Sequence, residues 1–336
     1  MRILWLSPWM RPLARAQIEA LHACGHECLL ITSDQHYEPA EARGYERVLE
    51  PHPKDPRTTG PLLRALAEAR RFRPHIVLVE LVWDPRWIAF TRLAPALHLI
   101  HDDRPHDEHE HRPRWQQWLT RYFSHRASGI IAFSETVAAR IGAETVPLTS
   151  DVAEHELPEP VTGRRDFVLY GRLSPYKNIP FVLRAWEQHL GSGHRGDRLL
   201  IIGDGEPDFG ALPACCEWRR GRYSYAEVLP VLGAAKGSVA HYRTATQSGV
   251  QLLSLQLGVT PIVSDSGALP EFLAPGEHPI GVQDQHGLTE AFDQLADPGE
   301  AQRRGKANRE HYLGHYTAQH AADRLLAIAE RHARIG

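Results

Sequence analysis

Short runs of nearly unbroken Val, Ile and Leu recur along this chain, and most are followed by a stretch with helical spacing. In the first half the strand-like runs are Arg2–Ser7, Glu27–Thr32, a weaker Tyr45–Leu49, His75–Leu81, Leu97–His101 and Gly129–Phe133. Helical patterns lie at 14–23, from Pro61 to before Pro74, and at 135–141. Runs apolar on both faces need cover on both faces, which a parallel sheet sandwiched between helices provides. The alternation pauses at 151–165 (DVAEHELPEPVTGRR), which is polar, acidic and Pro-bearing, then restarts. Strands are expected at 167–170, 199–202, 238–241, 261–264 and near Ile280, and helices at 178–190, 225–235, 249–257 and from Gly287 onward. The expected fold is therefore α/β, with two doubly wound parallel-sheet domains at 1–150 and 166–315 joined by a linker at 151–165. In such sheets ligands bind beyond the carboxyl ends of the strands, here in a cleft that the two domains would face.

A length of 336 residues suits two domains, and 42% hydrophobic content gives each a core. A formal net charge of -3 argues against nucleic acid as a partner. No apolar run approaches a membrane span, and Met1-Arg2-Ile3-Leu4 enters a strand directly, so neither a secretory leader nor a spanning helix is expected. The four cysteines (Cys24, Cys28, Cys215, Cys216) read as reduced thiols of a cytoplasmic protein.

The stretch with most chemistry is 166–178, DFVLYGRLSPYKN. A strand ends at Gly171, Arg172 follows at once, and Lys177 comes five residues later, before a helix. A guanidinium fork and an ammonium point charge converging on one anion suit a diphosphate. The local pattern is equally that of a strand–turn–helix with solvated cations. A dinucleotide-dependent dehydrogenase is not the expected reading, because Ser7-Pro8-Trp9 lacks the glycine-rich turn after the first strand.

Three stretches in order make the second half resemble the donor domain of GT-B glycosyltransferases, in particular retaining family four. They are Gly171-Arg172-Leu173-Ser174 through Lys177-Asn178; the run 199–206 ending in Gly203-Asp204-Gly205-Glu206; and 258–271, GVTPIVSDSGALPE. The resemblance implies Rossmann-like domains, a nucleoside-diphosphate sugar as donor, and Arg172 and Lys177 holding the diphosphate as the sugar–phosphate bond breaks, with no metal or other cofactor. It implies that Gln247, Ser248, Gly249 and Val250, at the start of a helix, meet the phosphates through free N–H groups. Gly171, Gly203 and Gly205 would shape the donor site, and the base would sit near Arg222 and Tyr223. His101 would contact the transferred sugar; a histidine making one ordinary hydrogen bond at a strand end is the plainer alternative. Trp9, Glu80, Asp102 and Asp103 are acceptor-side candidates. The final helix, 316–336, would cross back to the first domain.

Two departures stand out. The family's two glutamates, seven residues apart in between, fall on Ala245 and Leu253, counted back from Gly258. Gln247 and Gln251 are the nearby polar side chains. At the front, Pro8-Trp9-Met10-Arg11-Pro12 replaces the usual glycine pair.

Residues 101–115, HDDRPHDEHEHRPRW, carry four histidines and five acids. His106, His109 and His111 lack the ordered helical spacing of a zinc site, so no metal is expected. Trp115, Trp118, Leu119, Tyr122 and Phe123 follow at helical spacing among arginines. The favoured expectation is the core face of a helix. The other is a face lying on a membrane, which would suit a lipid-linked acceptor at the inner membrane surface.

The leading functional expectation is retaining transfer of a sugar to an acceptor, whether a glycan, a lipid-linked glycan or a small molecule, in polysaccharide or natural-product glycosylation. The lost glutamates keep two others open: a drifted pseudo-glycosyltransferase with a non-sugar donor, and a non-catalytic nucleotide-sugar-binding partner subunit.

Overall fold

The computed structural model describes residues 1–35, 41–105, 112–161, 163–207 and 210–333. These form two compact units. The first comprises 1–105, 112–151 and 318–333, and the second Val152–Thr317.

The first unit runs β1 (Arg2–Ser7), α1 (Arg11–Ala23), β2 (Glu27–Thr32), β3 (Glu46–Val48), α2 (Thr59–Phe72), β4 (Ile76–Glu80), β5 (Ala96–Ile100), α3 (Arg114–Arg126), β6 (Gly129–Ala132), α4 (Glu135–Ile141) and β7 (Glu144–Thr145). All neighbouring strands pair parallel, in the order β3-β2-β1-β4-β5-β6-β7. Leu4, Leu6, Leu29, Ile31, Val77 and Val79 pack against Trp87, Phe90, Leu119 and Phe123. The helices begin and end where local chemistry permits. α1 starts at Arg11, three residues earlier than its apolar pattern indicates, because Pro12 is tolerated in a first turn. Ser134 caps α4 through the Val137 amide, and Gly142 closes it at φ 67°.

The second unit runs β8 (Phe167–Tyr170), α5 (Ile179–Gly191), β9 (Leu199–Gly203), β10 (Cys216–Arg220), α6 (Tyr225–Gly233), β11 (Gly237–Ala240), α7 (Gly249–Gln256), β12 (Thr260–Val263), α8 (Gln285–Leu295) and α9 (Pro298–His315). Its strands are parallel in the order β10-β9-β8-β11-β12. Phe167, Trp186 and Phe292 form edge-on ring contacts at the centre of its core. Arg164, at the end of the polar stretch, is buried and donates to the carbonyls of Gly233 and Gly258.

The last helix, α10 (Ala318–Ala333), buries Ala321, Ala322, Leu325, Ile328 and Ala329 within the first unit, where it packs on α1. Ile280 joins Ser264 by a single bridge rather than a full strand. No helix among the described residues is long and apolar enough to cross a membrane.

The expectation that the aromatic run of α3 faces the core needs correction. Leu119 and Phe123 do so, four residues apart. Trp115 and Trp118 are 51% and 56% exposed. Tyr122 is half-buried and leans on the same core, so the outward part of the run is Trp115 and Trp118, on the side of the helix turned from Leu119 and Phe123.

Candidate active site

In a doubly wound sheet the crevice opens where strand order reverses. In the second unit that point lies between β8 and β11, so the segments after these strands decide the chemistry. After β8 the chain turns at Gly171, whose φ is 106°. A Cβ there would sit 2.8 Å from the Lys177 ammonium and needs a left-handed backbone, so glycine is required twice over. Gly203, at the tip of β9, is as constrained, since a side chain would strike the Gly171 carbonyl. Both glycines of the sequence motif thus pack one strand tip onto the next.

Lys177 ends a single 3-10 turn, Pro175–Lys177, that folds its side chain back under Gly171. The ammonium is buried, donates 2.7 Å to the Tyr170 carbonyl, and lies 3.4 Å from the Tyr242 hydroxyl. Its ring contact with Tyr242 is at 5.0 Å. Burial, helped by the neighbouring Arg172 charge, pushes its pKa down to about 7. No carboxylate among the described residues pairs with it or with Arg172, which is exposed. Asn178 follows in the left-handed region at φ 55° and accepts 2.9 Å from Arg243. Arg243 adds a third cation at the end of β11, and with Tyr242 it has no counterpart in the sequence expectations. Both are placed here because β11 lies beside β8, a neighbourhood that chain order does not reveal.

The loop after β11 runs into α7. Ser248 caps that helix through the Gln251 amide at 3.2 Å. The N–H groups of Gly249 and Val250 lie in the first turn, where helix geometry provides no internal acceptor. Gln247 is half-buried beside them. Tyr223 approaches from beyond β10, its hydroxyl 3.8 Å from the Cβ position of Gly171, while Arg222 is exposed and Gly205 packs against Leu173.

Ala245 and Leu253 are both buried. Ala245 joins Ala240, Tyr242, Val263 and Leu269, and Leu253 joins Tyr170, Ile202, Val228 and Val259. Gln251 is fully buried as well, and its amide donates 3.0 Å to the Leu269 carbonyl. It serves the fold and does not replace a glutamate at the surface of the site. A cavity of about 370 Å³ lined by Glu154, Arg164, Gln256, Lys306 and Arg309 lies at the opposite, N-terminal edge of the same sheet and contains none of these residues.

In the first unit the strand order reverses between β1 and β4. Trp9, after β1, meets Trp83, after β4, with ring centroids 5.1 Å apart. Glu80, the last residue of β4, is fully buried. One of its oxygens accepts 3.0 Å from the Trp5 indole and the other pairs with His101 Nε2 at 2.6 Å. His101 is 4% exposed, at the end of β5, with its ring 4.4 Å from Phe133. Glu80 thus stands behind His101. Leu81, next in the chain, holds φ 48°, a strained value for leucine at the rim of the same site. Asp103 is tied to Arg140 at 2.6 Å, and the Asp102 carbonyl accepts from Arg112 at 3.2 Å. His106, His109 and His111 lie outside the described residues.

Two family models cover the chain in tandem. The model described as Glycosyltransferase Family 4 matches residues 13–147, and that described as Glycosyl transferases group 1 matches 164–297. The chain belongs to the GT-B glycosyltransferases. Among solved structures it resembles sucrose-phosphate synthase from Thermosynechococcus elongatus, at TM-score 0.71 and 18% identity over 100% of both chains. It also resembles the UDP-forming α,α-trehalose-phosphate synthase from Burkholderia vietnamiensis (0.68, 11%, 98% of this chain and 100% of that one). Anabaena HepE, solved with UDP and glucose, is comparably similar (0.67, 11%, 98% and 100%). At such identities the likeness concerns the fold alone. No curated protein sequence matches the chain.

Proposed function

We propose that this glycosyltransferase moves a sugar from a nucleoside-diphosphate donor to an acceptor with retention, the diphosphate held between Arg172 and Lys177. The observation that carries this reading is Lys177 itself. Its ammonium is buried against a carbonyl and a phenol, both neutral, and has no counter-ion among the described residues. A buried cation so placed favours an anion beside it, and the adjacent Arg172 and the first turn of α7 favour the same charge. A leaving diphosphate is such an anion, and the two cations would neutralise the charge that develops on it without a metal. Retention rests on the family resemblance, with the departing phosphate accepting the acceptor's proton. His101, oriented by Glu80, is proposed to meet the transferred sugar. The solution of a neighbour with UDP and glucose makes uracil the first base to try.

The test is thermal shift against nucleoside diphosphates and their sugar conjugates, with chelator present throughout. Ligand at about a hundred times its dissociation constant should add roughly 2.7 kcal/mol. Arg172→Ala should lose about 1.5–3 kcal/mol of binding, the worth of a charged hydrogen bond. Equal affinity in wild type and variant would remove Arg172 from the site. A second reading, a nucleotide-sugar-binding subunit without turnover, is favoured by the apolar burial of Ala245 and Leu253. Donor binding with no sugar release under any acceptor would support that reading.

A further inference from the structure

The outward stripe of α3 is a feature of the first unit that the proposed transfer does not use. Trp115 and Trp118 are more than half exposed, and Trp118 stacks on Tyr122 with ring centroids 5.5 Å apart. Arg114, Trp118, Arg121 and His125 recur at i, i+4, i+7 and i+11, which is one face of a helix, and all four are exposed. Arg126 is exposed beside them. The helix contains no Asp or Glu in its thirteen residues, and no carboxylate among the described residues pairs with Arg114, Arg121 or Arg126. The chain as a whole is net negative, so this face departs from the average surface in charge as well as in apolarity.

We infer that α3 docks the first unit on an anionic lipid surface. Indole rings favour the boundary between headgroups and acyl chains, where one edge is apolar and the N–H stays wet. Arginines flanking them add attraction to anionic headgroups, and a helix with both features lies flat in the interface. Leu119 and Phe123 already fasten the opposite face to the core, so docking needs no rearrangement of the unit. The charge pattern selects the occupant. A second copy of this chain would set arginine against arginine across a two-fold axis, whereas an anionic bilayer complements every charge on the stripe. The two tryptophans occupy the first half of α3, which follows the carboxyl end of β5, the end that carries His101.

The experiment is vesicle flotation of the full chain with phosphatidylcholine alone and with phosphatidylcholine mixed with phosphatidylglycerol, at low and high salt. Flotation is expected with the anionic vesicles only, reversed by salt, and accompanied by a blue shift of tryptophan emission. The variant Trp115→Ala/Trp118→Ala, and separately Arg114→Gln/Arg121→Gln/Arg126→Gln, should each reduce partitioning at least about tenfold, given a contribution of about a factor of five per basic residue. These side chains lie on the surface, so both variants should keep the wild-type melting temperature. The inference is overturned if the protein does not float with anionic vesicles, or if both variants float as the wild type does. It is equally overturned if sedimentation shows a wild-type dimer that the tryptophan variant dissolves, which would make the face a contact between copies.

Discussion

Lys177 couples the site to pH. Its pKa in the folded chain is pushed from the ordinary 10.5 to about 7, chiefly by burial. Between those values the unfolded chain binds more protons than the folded one, so stability of the free protein should rise with pH over that window. Below about 7 the cost of the buried charge is present in full. A bound diphosphate would favour the charged form, so binding above pH 7 should take up a proton, and affinity should fall by up to about tenfold per pH unit. Calorimetry of diphosphate binding in buffers of different ionisation enthalpy measures this uptake directly, and Lys177→Met should abolish it. Equal heats in every buffer would mean that Lys177 does not meet the ligand. Glu80 invites a different test. Glu80→Gln keeps a hydrogen-bond acceptor for Trp5 but removes the negative charge beside His101. If His101 serves the transfer, turnover should fall at least tenfold, against the about 10²–10⁴ that such groups contribute. Restoration by Glu80→Asp would separate charge from packing, and unchanged turnover would leave the pair a structural one. Arg172 and Lys177 were legible in the sequence because they follow one strand within seven residues. Tyr242 and Arg243 were not, because what brings them to Lys177 is the pairing of β8 with β11, and Trp5 and Trp83 were missed for the same reason at β1 and β4.

At the scale of elements, apolar runs were a sound guide wherever a strand is buried on both faces, as β1, β4, β8 and β9 are. They failed at β10. Its sequence, Cys216-Glu217-Trp218-Arg219-Arg220, is polar because it forms one edge of the sheet and only Cys216 and Trp218 lean on the core. α7 shows a related limit. The motif comparison marks Ala245 and Leu253 as lost glutamates, but only the structure shows that the vacated positions have closed into apolar clusters. Restoring a family-like residue should therefore harm the fold. Leu253→Glu places a carboxylate among Tyr170, Ile202, Val228 and Val259 and should cost about 3–5 kcal/mol, the scale of an unpaired buried charge. Denaturant titration of the variant checks this, and a change within about 0.5 kcal/mol, typical of exposed positions, would show that the site is open to solvent after all.

For the whole molecule, the fact with the widest reach is that the first unit is not one continuous piece of chain. α10 follows the entire second unit in sequence, yet buries Leu325 and Ile328 within the first. Residues 1–151 by themselves leave α1 without that cover. Ending the chain after Thr317 should therefore destabilise the first unit selectively. Hydrogen exchange should accelerate in α1 and β4, both of which α10 touches, while β8, β9 and α5 keep their protection. Uniform loss in both units would contradict this. The same arrangement sets an order of events during synthesis. All strands and helices of the second unit have been synthesised by Thr317, before the last helix is made. The first unit, although made earlier, must wait for the last helix, with an apolar strip of α1 uncovered for the time it takes to translate more than half of the protein.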